Sequence, residues 1–317
     1  MKNIGIERTN YKKYDIVTIG EVLVDMISTE YTDGFDCDTY KRFFGGSPAN
    51  IAMNVKRFGI NSTIICSVGK DALGFFLVSE MKKRGLDTTY VQMVDFPTSM
   101  VLLNKSKTSP VPIFYRRADY QIEFQQPMEQ LIEKSKIVHF STWPLSKEPS
   151  RNTVEKIIKL AKGNGTIIGF DPNYHSALWE EECDGASYVK GIIKDVDVIK
   201  PSVDDAERLF GEGTIDEYIK KFIDLGAKLV IMTLGEDGLI ASNGKETFRL
   251  DSIADEVVDT TGAGDAFWSG FYAAIIKGYD VKEAIKLGNA SSAYKLKYTG
   301  AVVDFPSLET LKEIYKL

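Results

Sequence analysis

Histidine is nearly missing from this chain. Two in 317 residues, His139 and His175, cannot build a multi-histidine metal centre. Cysteine is hardly commoner: Cys37, Cys66 and Cys183 are odd in number, widely spaced and without a Cys-x-x-Cys pair. That excludes a disulfide framework and a thiolate zinc site, and predicts reduced thiols in a cytoplasmic protein. No apolar run approaches membrane-span length, and the polar lead Met1–Tyr14 has no apolar signal core, so no membrane partner is expected. A long basic run is also lacking and net charge is −6, which argues against nucleic acid as a partner. The phosphate-binding pattern G-x-x-x-x-G-K-[ST] is absent, and Phe267 stands where a dinucleotide fingerprint beginning at Gly262 and Gly264 needs its third small residue.

What is present is an ordinary globular composition, 44% hydrophobic and 26% charged, in a chain long enough to bury a large core. Short β-branched runs alternate with amphipathic segments. Strands are predicted at Ile16–Ile19, Thr63–Val68, Ile137–Phe140, Thr166–Phe170, Val196–Ile199 and Leu229–Thr233. Helices are predicted at Pro48–Phe58, Leu73–Arg84, Ser150–Lys162, Val203–Phe210, Ile215–Leu225, Ala266–Lys277 and Val281–Lys297. Such alternation implies an α/β fold, a mostly parallel sheet with helices on both faces, whose ligands bind beyond the carboxyl ends of the strands. Asp171, Ser202 and Gly235 fall at such ends.

Two regions interrupt the pattern. Phe35–Phe44, and Ser99–Asn104 with Val111–Arg117 around a polar turn, read as strands of a small β-sheet lid spanning about residues 27–45 and 97–119 of one 317-residue domain. Tyr40, Phe43, Val101 and Leu103 are expected on its exposed face, packed against a second subunit in a homodimer. A hairpin, Leu239–Ser242 and Thr247–Leu250, is predicted to turn at Asn243-Gly244.

The most informative stretch is Asp259-Thr260-Thr261-Gly262-Ala263-Gly264-Asp265, running into the apolar helix Ala266–Ile276. A Gly-Ala-Gly turn leaves backbone N–H groups uncovered, and at a helix start those donors and the helix dipole attract an anion such as a phosphate. Asp265 would repel that anion unless it serves to take a proton, and an anion cradle beside a base describes phosphoryl transfer to a hydroxyl. An N-cap role explains an Asp there equally well. A second constellation, Gly45-Gly46-Ser47-Pro48-Ala49-Asn50, opens the first helix: Ser47 suits the cap, Pro48 the first turn, and Asn50 can reach a sugar hydroxyl. Asp25, just after the first strand, is another candidate for hydroxyl binding.

From about Asp15 to Pro306 the chain resembles the ribokinase-like (PfkB) carbohydrate kinases. Gly20-Glu21 with Asp25, GGSPAN at 45–50, Asp171-Pro172-Asn173, Thr233-Leu234-Gly235 with Gly238, and DTTGAGD at 259–265 occur in that family's order. The resemblance implies a Rossmann-like domain with a β-lid that transfers the ATP γ-phosphoryl, with magnesium, to a sugar hydroxymethyl. It implies Asp265 as base, Gly262, Ala263 and Gly264 as anion hole, and Asp25, Gly45, Gly46, Asn50, Asp171 and Asn173 on the sugar. Thr233, Gly235, Gly238 and Asn289 would lie near the nucleotide, and Asp259 and Thr261 would hold a monovalent cation, expected to be potassium.

Phe114-Tyr115-Arg116 with Ala118-Asp119, and Leu178-Trp179, look most like bacterial fructokinases, with Arg116 reaching the sugar from the lid. Two positions depart from the family pattern. His175 replaces the usual arginine of D-x-N-x-R, and the N-x-x-E of the magnesium side reads Ser202-Val203-Asp204-Asp205, keeping only the carboxylate of Asp205. The expectation is a fructokinase acting on the 6-hydroxyl. The alternatives are 2-keto-3-deoxygluconate kinase, a nucleoside kinase, or an inactive sugar-binding regulator.

Overall fold

The computed structural model describes residues 13–31, 36–105 and 112–317. The lead segment before residue 13, Phe35 and Val111, all part of the sequence expectations, lie outside them. The strands are β1 (Tyr14–Ile19), β2 (Leu23–Tyr31), β3 (Tyr40–Gly45), β4 (Ser62–Gly69), β5 (Val91–Val94), β6 (Met100–Lys105), β7 (Ile113–Tyr115), β8 (Ser135–Ser141), β9 (Ile167–Asp171), β10 (Val198–Ile199), β11 (Leu229–Thr233), β12 (Leu239–Ser242) and β13 (Thr247–Leu250). The α-helices are α1 (Ser47–Arg57), α2 (Ala72–Lys83), α3 (Pro127–Glu133), α4 (Ser150–Gly163), α5 (Gly185–Ile192), α6 (Val203–Phe210), α7 (Ile215–Asp224), α8 (Ala263–Lys277), α9 (Val281–Leu296) and α10 (Leu308–Tyr315).

Nine strands form one sheet in the order β13-β12-β11-β10-β9-β8-β1-β4-β5, parallel except for the β11/β12 and β12/β13 pairs. Its strands read as continuous apolar runs because both faces are covered. Neighbouring residues therefore enter opposite cores. Ile16, Ile137 and Ile167 pack with α1, α8 and α9, whereas Val17, Val138 and Ile168 pack with α3, α4 and α5. The β12/β13 hairpin has the expected strands, but its connection runs from Asn243 to Glu246, closed by the Asn243 side chain accepting from the Lys245 and Glu246 amides.

The second sheet, in the order β3-β2-β6-β7, is the small sheet expected from the sequence, with one strand more. β2 follows β1 after only three residues, so Asp25 sits on a lid strand opposite Phe43 and Val101. The expected exposed face needs correction. Phe43, Val101 and Leu103 share the Asp25 face by register, and Val101 is buried against the body. The outer face carries Tyr40, Ile113 and Tyr115, because pleating sends alternate residues to opposite sides.

Candidate active site

The carboxyl ends of β1, β8, β9, β10 and β11 open onto the edge where α1 and α8 begin, and the candidate residues gather there. At the start of α8, Gly262 takes the left-handed conformation, φ 76°, as the N-cap. A side chain there would bring its Cβ to 2.4 Å from the Ala301 Cβ, so backbone conformation and packing both demand glycine. The amides that follow lead the helix into the core, where Ala266–Ala274 are buried on every side.

Asp265 lies in the first turn of α8 and does not cap it. Its Oδ1 accepts from the Ser47 hydroxyl at 2.6 Å, and its Oδ2 from the Asn50 amide at 2.8 Å. Ser47 is free to do this because the sequence expectation of a Ser47 cap fails: Gly46, at φ 113°, is the N-cap of α1 and Ser47 is its first helical residue. Burial raises the Asp265 carboxyl to about 6 against the lowering effect of those two donors. The other polar atom of Asn50, Oδ1, is buried with no hydrogen-bond partner among the described residues.

Around this base stand two further carboxyls. Asp25 lies over Gly45, whose Cβ, if it had one, would be 2.4 Å from the Asp25 Oδ2. Burial, then the charge of Asp265, push Asp25 up to about 7. Glu21 is buried behind them, takes a 3.3 Å bond from the Ser141 hydroxyl, and is pushed up to about 8, chiefly by burial.

Opposite them is a cation that sequence reasoning missed. Lys200, directly after β10, is 4% exposed; its Nζ lies 3.2 Å from Asp171 Oδ2, and a Cβ added at Gly264 would come to 3.3 Å from that Nζ. Asp171 also accepts from Trp268 Nε1 at 2.8 Å. A buried carboxyl, a glycine turn of amides at a helix start, a buried ammonium beside that turn and a lid strand bearing a second buried carboxyl are the parts a phosphoryl-transfer site calls for. The pfkB family carbohydrate kinase model matches residues 13–308, nearly the whole chain.

The chain is a pfkB family carbohydrate kinase. It is 60% identical to an ATP-dependent 6-phosphofructokinase of Thermoanaerobacterium thermosaccharolyticum, over 96% of this chain and 95% of that protein. The structure of Halothermothrix orenii fructokinase, 42% identical, superimposes with a TM-score of 0.78 over 87% of this chain and 97% of that one. A Pyrococcus horikoshii sugar kinase in complex with ATP, 30% identical, does so at 0.82 over 94% and 97%.

Within this kinase the other expected site residues divide. Thr233, Gly235 and Gly238 form the turn after β11, where the Leu234 amide donates to the Gly238 carbonyl at 2.8 Å. Asn289 holds the Asp251 carbonyl at 3.1 Å, tying α9 to the segment after β13. Asn173 has positive φ, 36°, in the turn after β9.

Ser202 and Asp205, expected on the magnesium side, are engaged with the start of α6. They form the capping box of α6, and both Asp205 oxygens are occupied, Oδ1 by the Tyr174 amide and Oδ2 by Ser202. Among the described residues no group of three His, Cys, Asp or Glu side chains could hold a metal ion.

Arg116 is placed differently from the expectation of a sugar contact. Its Nε donates to Asp119 at 2.8 Å and its NH1 to the Ser146 hydroxyl at 2.6 Å. Asp119 in turn accepts from Trp143 Nε1 at 2.7 Å, so Arg116 anchors the lid to the body. His175 packs edge-on against Phe114 of the lid, 6.1 Å between ring centroids. Asp259, expected with Thr261 to hold a monovalent cation, accepts from the Thr261 and Gly300 amides through its carboxylate, and from Lys295 Nζ through its backbone carbonyl.

Proposed function

We propose that this kinase transfers the γ-phosphoryl of ATP, brought in with magnesium on the nucleotide, to a primary hydroxyl of fructose 6-phosphate. Asp265 takes the hydroxyl proton as the phosphoryl arrives. The Gly262–Gly264 amides and Lys200 stabilise the charge on the transferring oxygens. Asp25 and the free Oδ1 of Asn50 orient the acceptor by its other hydroxyls. Asp265, pulled by Ser47 and Asn50 from one side and α8 from the other, carries the chemical part of this reading.

The acceptor rests on the 60% identity to a 6-phosphofructokinase along nearly the full chain. Fructose 6-phosphate keeps one free primary hydroxyl, on C1, and its phosphate needs a cation at the far end of the acceptor. Lys41 is a candidate: by register it shares the Asp25 face of the lid, with its ammonium 5.7 Å from the Phe43 ring. Free fructose, phosphorylated on the 6-hydroxyl as expected from the sequence, is the second reading, favoured by the 42% identity to a fructokinase structure. Both acceptors present a hydroxymethyl on a furanose ring, and Asp265 serves either.

An ADP-release assay with fructose 6-phosphate, fructose and 2-keto-3-deoxygluconate decides. Fructose 6-phosphate should give the highest kcat/KM, by at least roughly 100-fold if a buried or clamped phosphate contributes about 3 kcal/mol. The reverse order between the first two selects fructokinase. Preference for 2-keto-3-deoxygluconate selects that kinase, and silence with all three favours a binding protein. A second copy of the chain is the proposed cover for the outer lid face, where Ile113 is 37% and Tyr115 53% exposed. A monomer in sedimentation at micromolar concentration would overturn that partner.

A further inference from the structure

Lys295, in the last turn of α9, is fully buried: its side chain has no exposed surface. Lysine is almost never buried in this way unless its charge is matched. Its Nζ donates to the backbone carbonyl of Asp259 at 2.6 Å and lies 3.8 Å from the Asp259 carboxylate, with Asp265 the next acid in range. Asp259 is one of the two residues, with Thr261, on which family resemblance puts a monovalent cation. A second cation would have to share the carbonyl and the carboxylate with the ammonium already on them, so the residues present do not fit potassium.

We infer that Lys295 replaces the monovalent cation: its tethered ammonium does permanently what a bound potassium ion would do reversibly. The inference rests on the chain being a kinase of this family and not on which acceptor it uses.

The geometry explains how such a charge acts. The segment before α8 and the segment after α9 are laced together. The Val258 amide donates to the Leu296 carbonyl at 2.8 Å and the Gly300 amide to Asp259 Oδ2 at 2.8 Å. Gly262, which starts the anion hole, is pressed on Ala301 at the end of the second segment. The Lys295 ammonium sits where these two segments meet. It offsets the Asp259 carboxylate and holds the Asp259 carbonyl, three residues before Gly262, and so fixes the turn whose amides receive the phosphoryl. Ammonium and potassium ions are of similar size, so the same pocket suits either. Lys295 is a positioning residue in this role, since it reaches the reaction only through the turn.

The test compares potassium, sodium and tetramethylammonium chlorides at matched ionic strength, reading both ADP release and melting temperature. The wild-type kinase should show rates within about twofold and melting temperatures within about a degree across all three. Stimulation by potassium of fivefold or more, or a potassium-specific rise in melting temperature of several degrees, would overturn the inference. Lys295→Ser removes the charge and opens the space. It should be at least tenfold less active in tetramethylammonium, recover most of that loss in potassium or ammonium chloride, and melt several degrees higher in those salts. A purely structural lysine would give a variant whose defect no cation repairs, and that result counts against the inference. Lys295→Arg, which keeps the charge, should stay indifferent to potassium. If neither variant folds, the wild-type comparison decides alone.

Discussion

Asn50 and Asp265 are 215 residues apart in sequence and 2.8 Å apart in space, the amide of one helix's first turn donating to the carboxylate of another's. With Ser47 on the other oxygen, the pair fixes the carboxylate in the plane in which it must meet a hydroxyl proton.

Asp265→Asn tests that arrangement with little disturbance, because the Ser47 hydroxyl can turn to accept from the new amide while Asn50 keeps its oxygen partner. We expect kcat to fall by roughly 10²–10⁴, the usual worth of general-base catalysis, with KM for ATP and acceptor within a few-fold. Steady-state kinetics with unchanged melting temperature would bear this out. A near-normal kcat would remove Asp265 from the chemistry.

A base must be charged to act, and the Asp265 carboxyl is raised to about 6. The rate should therefore climb with pH through about 6 and level off above. Ser47→Ala removes a donor that favours the charged form, so the climb should move to higher pH by about one unit, with a similar plateau. A profile identical to wild type would show that Ser47 has no part in tuning the base.

Stability should run the other way with pH. Glu21 and Asp25 are raised to about 8 and about 7, so the folded state holds their protons more tightly than the unfolded chain does. Between pH 9 and 7 the unfolded chain is deprotonated at both positions while the folded one takes up protons, so stability rises as pH falls. Below about 6.5 the buried, neutral His139, lowered to about 3, opposes this because the unfolded histidine charges first. Melting temperature should thus increase from pH 9 to 7 and go on increasing below 6.5, because one histidine offsets only part of the proton uptake by Glu21, Asp25 and Asp265. Glu21→Gln should flatten the upper part of that slope, and a melting temperature that rises steadily from pH 7 to 9 would contradict the assignment.

Lys200 should matter twice. Lys200→Met leaves Asp171 buried without its ion pair, which costs about 3–5 kcal/mol, read by urea unfolding. Adding Asp171→Asn should restore most of that stability. It should not restore kcat, which is expected to stay about 10²-fold low for want of the charge beside Gly264. Recovery of activity along with stability would reduce Lys200 to a structural role.

The sheet, the hairpin strands and the glycine turn were legible because each writes itself in a short window: β-branched runs, Asn243-Gly244, Gly262 to Gly264. β2 was not, since its sequence Leu-Val-Asp-Met-Ile-Ser-Thr-Glu-Tyr mixes an acid into the apolar face that roofs the cleft. The two buried lysines were invisible for a different reason: their partners, Asp171 and the Asp259 carbonyl, come from distant segments. A faint signal exists for Lys295, which falls at i+7 from Gly288 and i+4 from Ser291, on the stripe that α9 buries. The role expected of Arg116 rested on its place in a motif. Its engagement with Asp119 and Ser146 depends on how the lid meets the body, which no local window records.

Asp25 and Lys41 belong to the four-stranded sheet, whereas Asp265, Lys200 and Lys295 belong to the body. Under the proposed mechanism the small sheet supplies Asp25 and Lys41 to the acceptor, while Asn50 and the groups that handle the phosphoryl come from the body. Under that reading, changes on the inner face of the small sheet would alter acceptor preference while leaving the groups of the body in place.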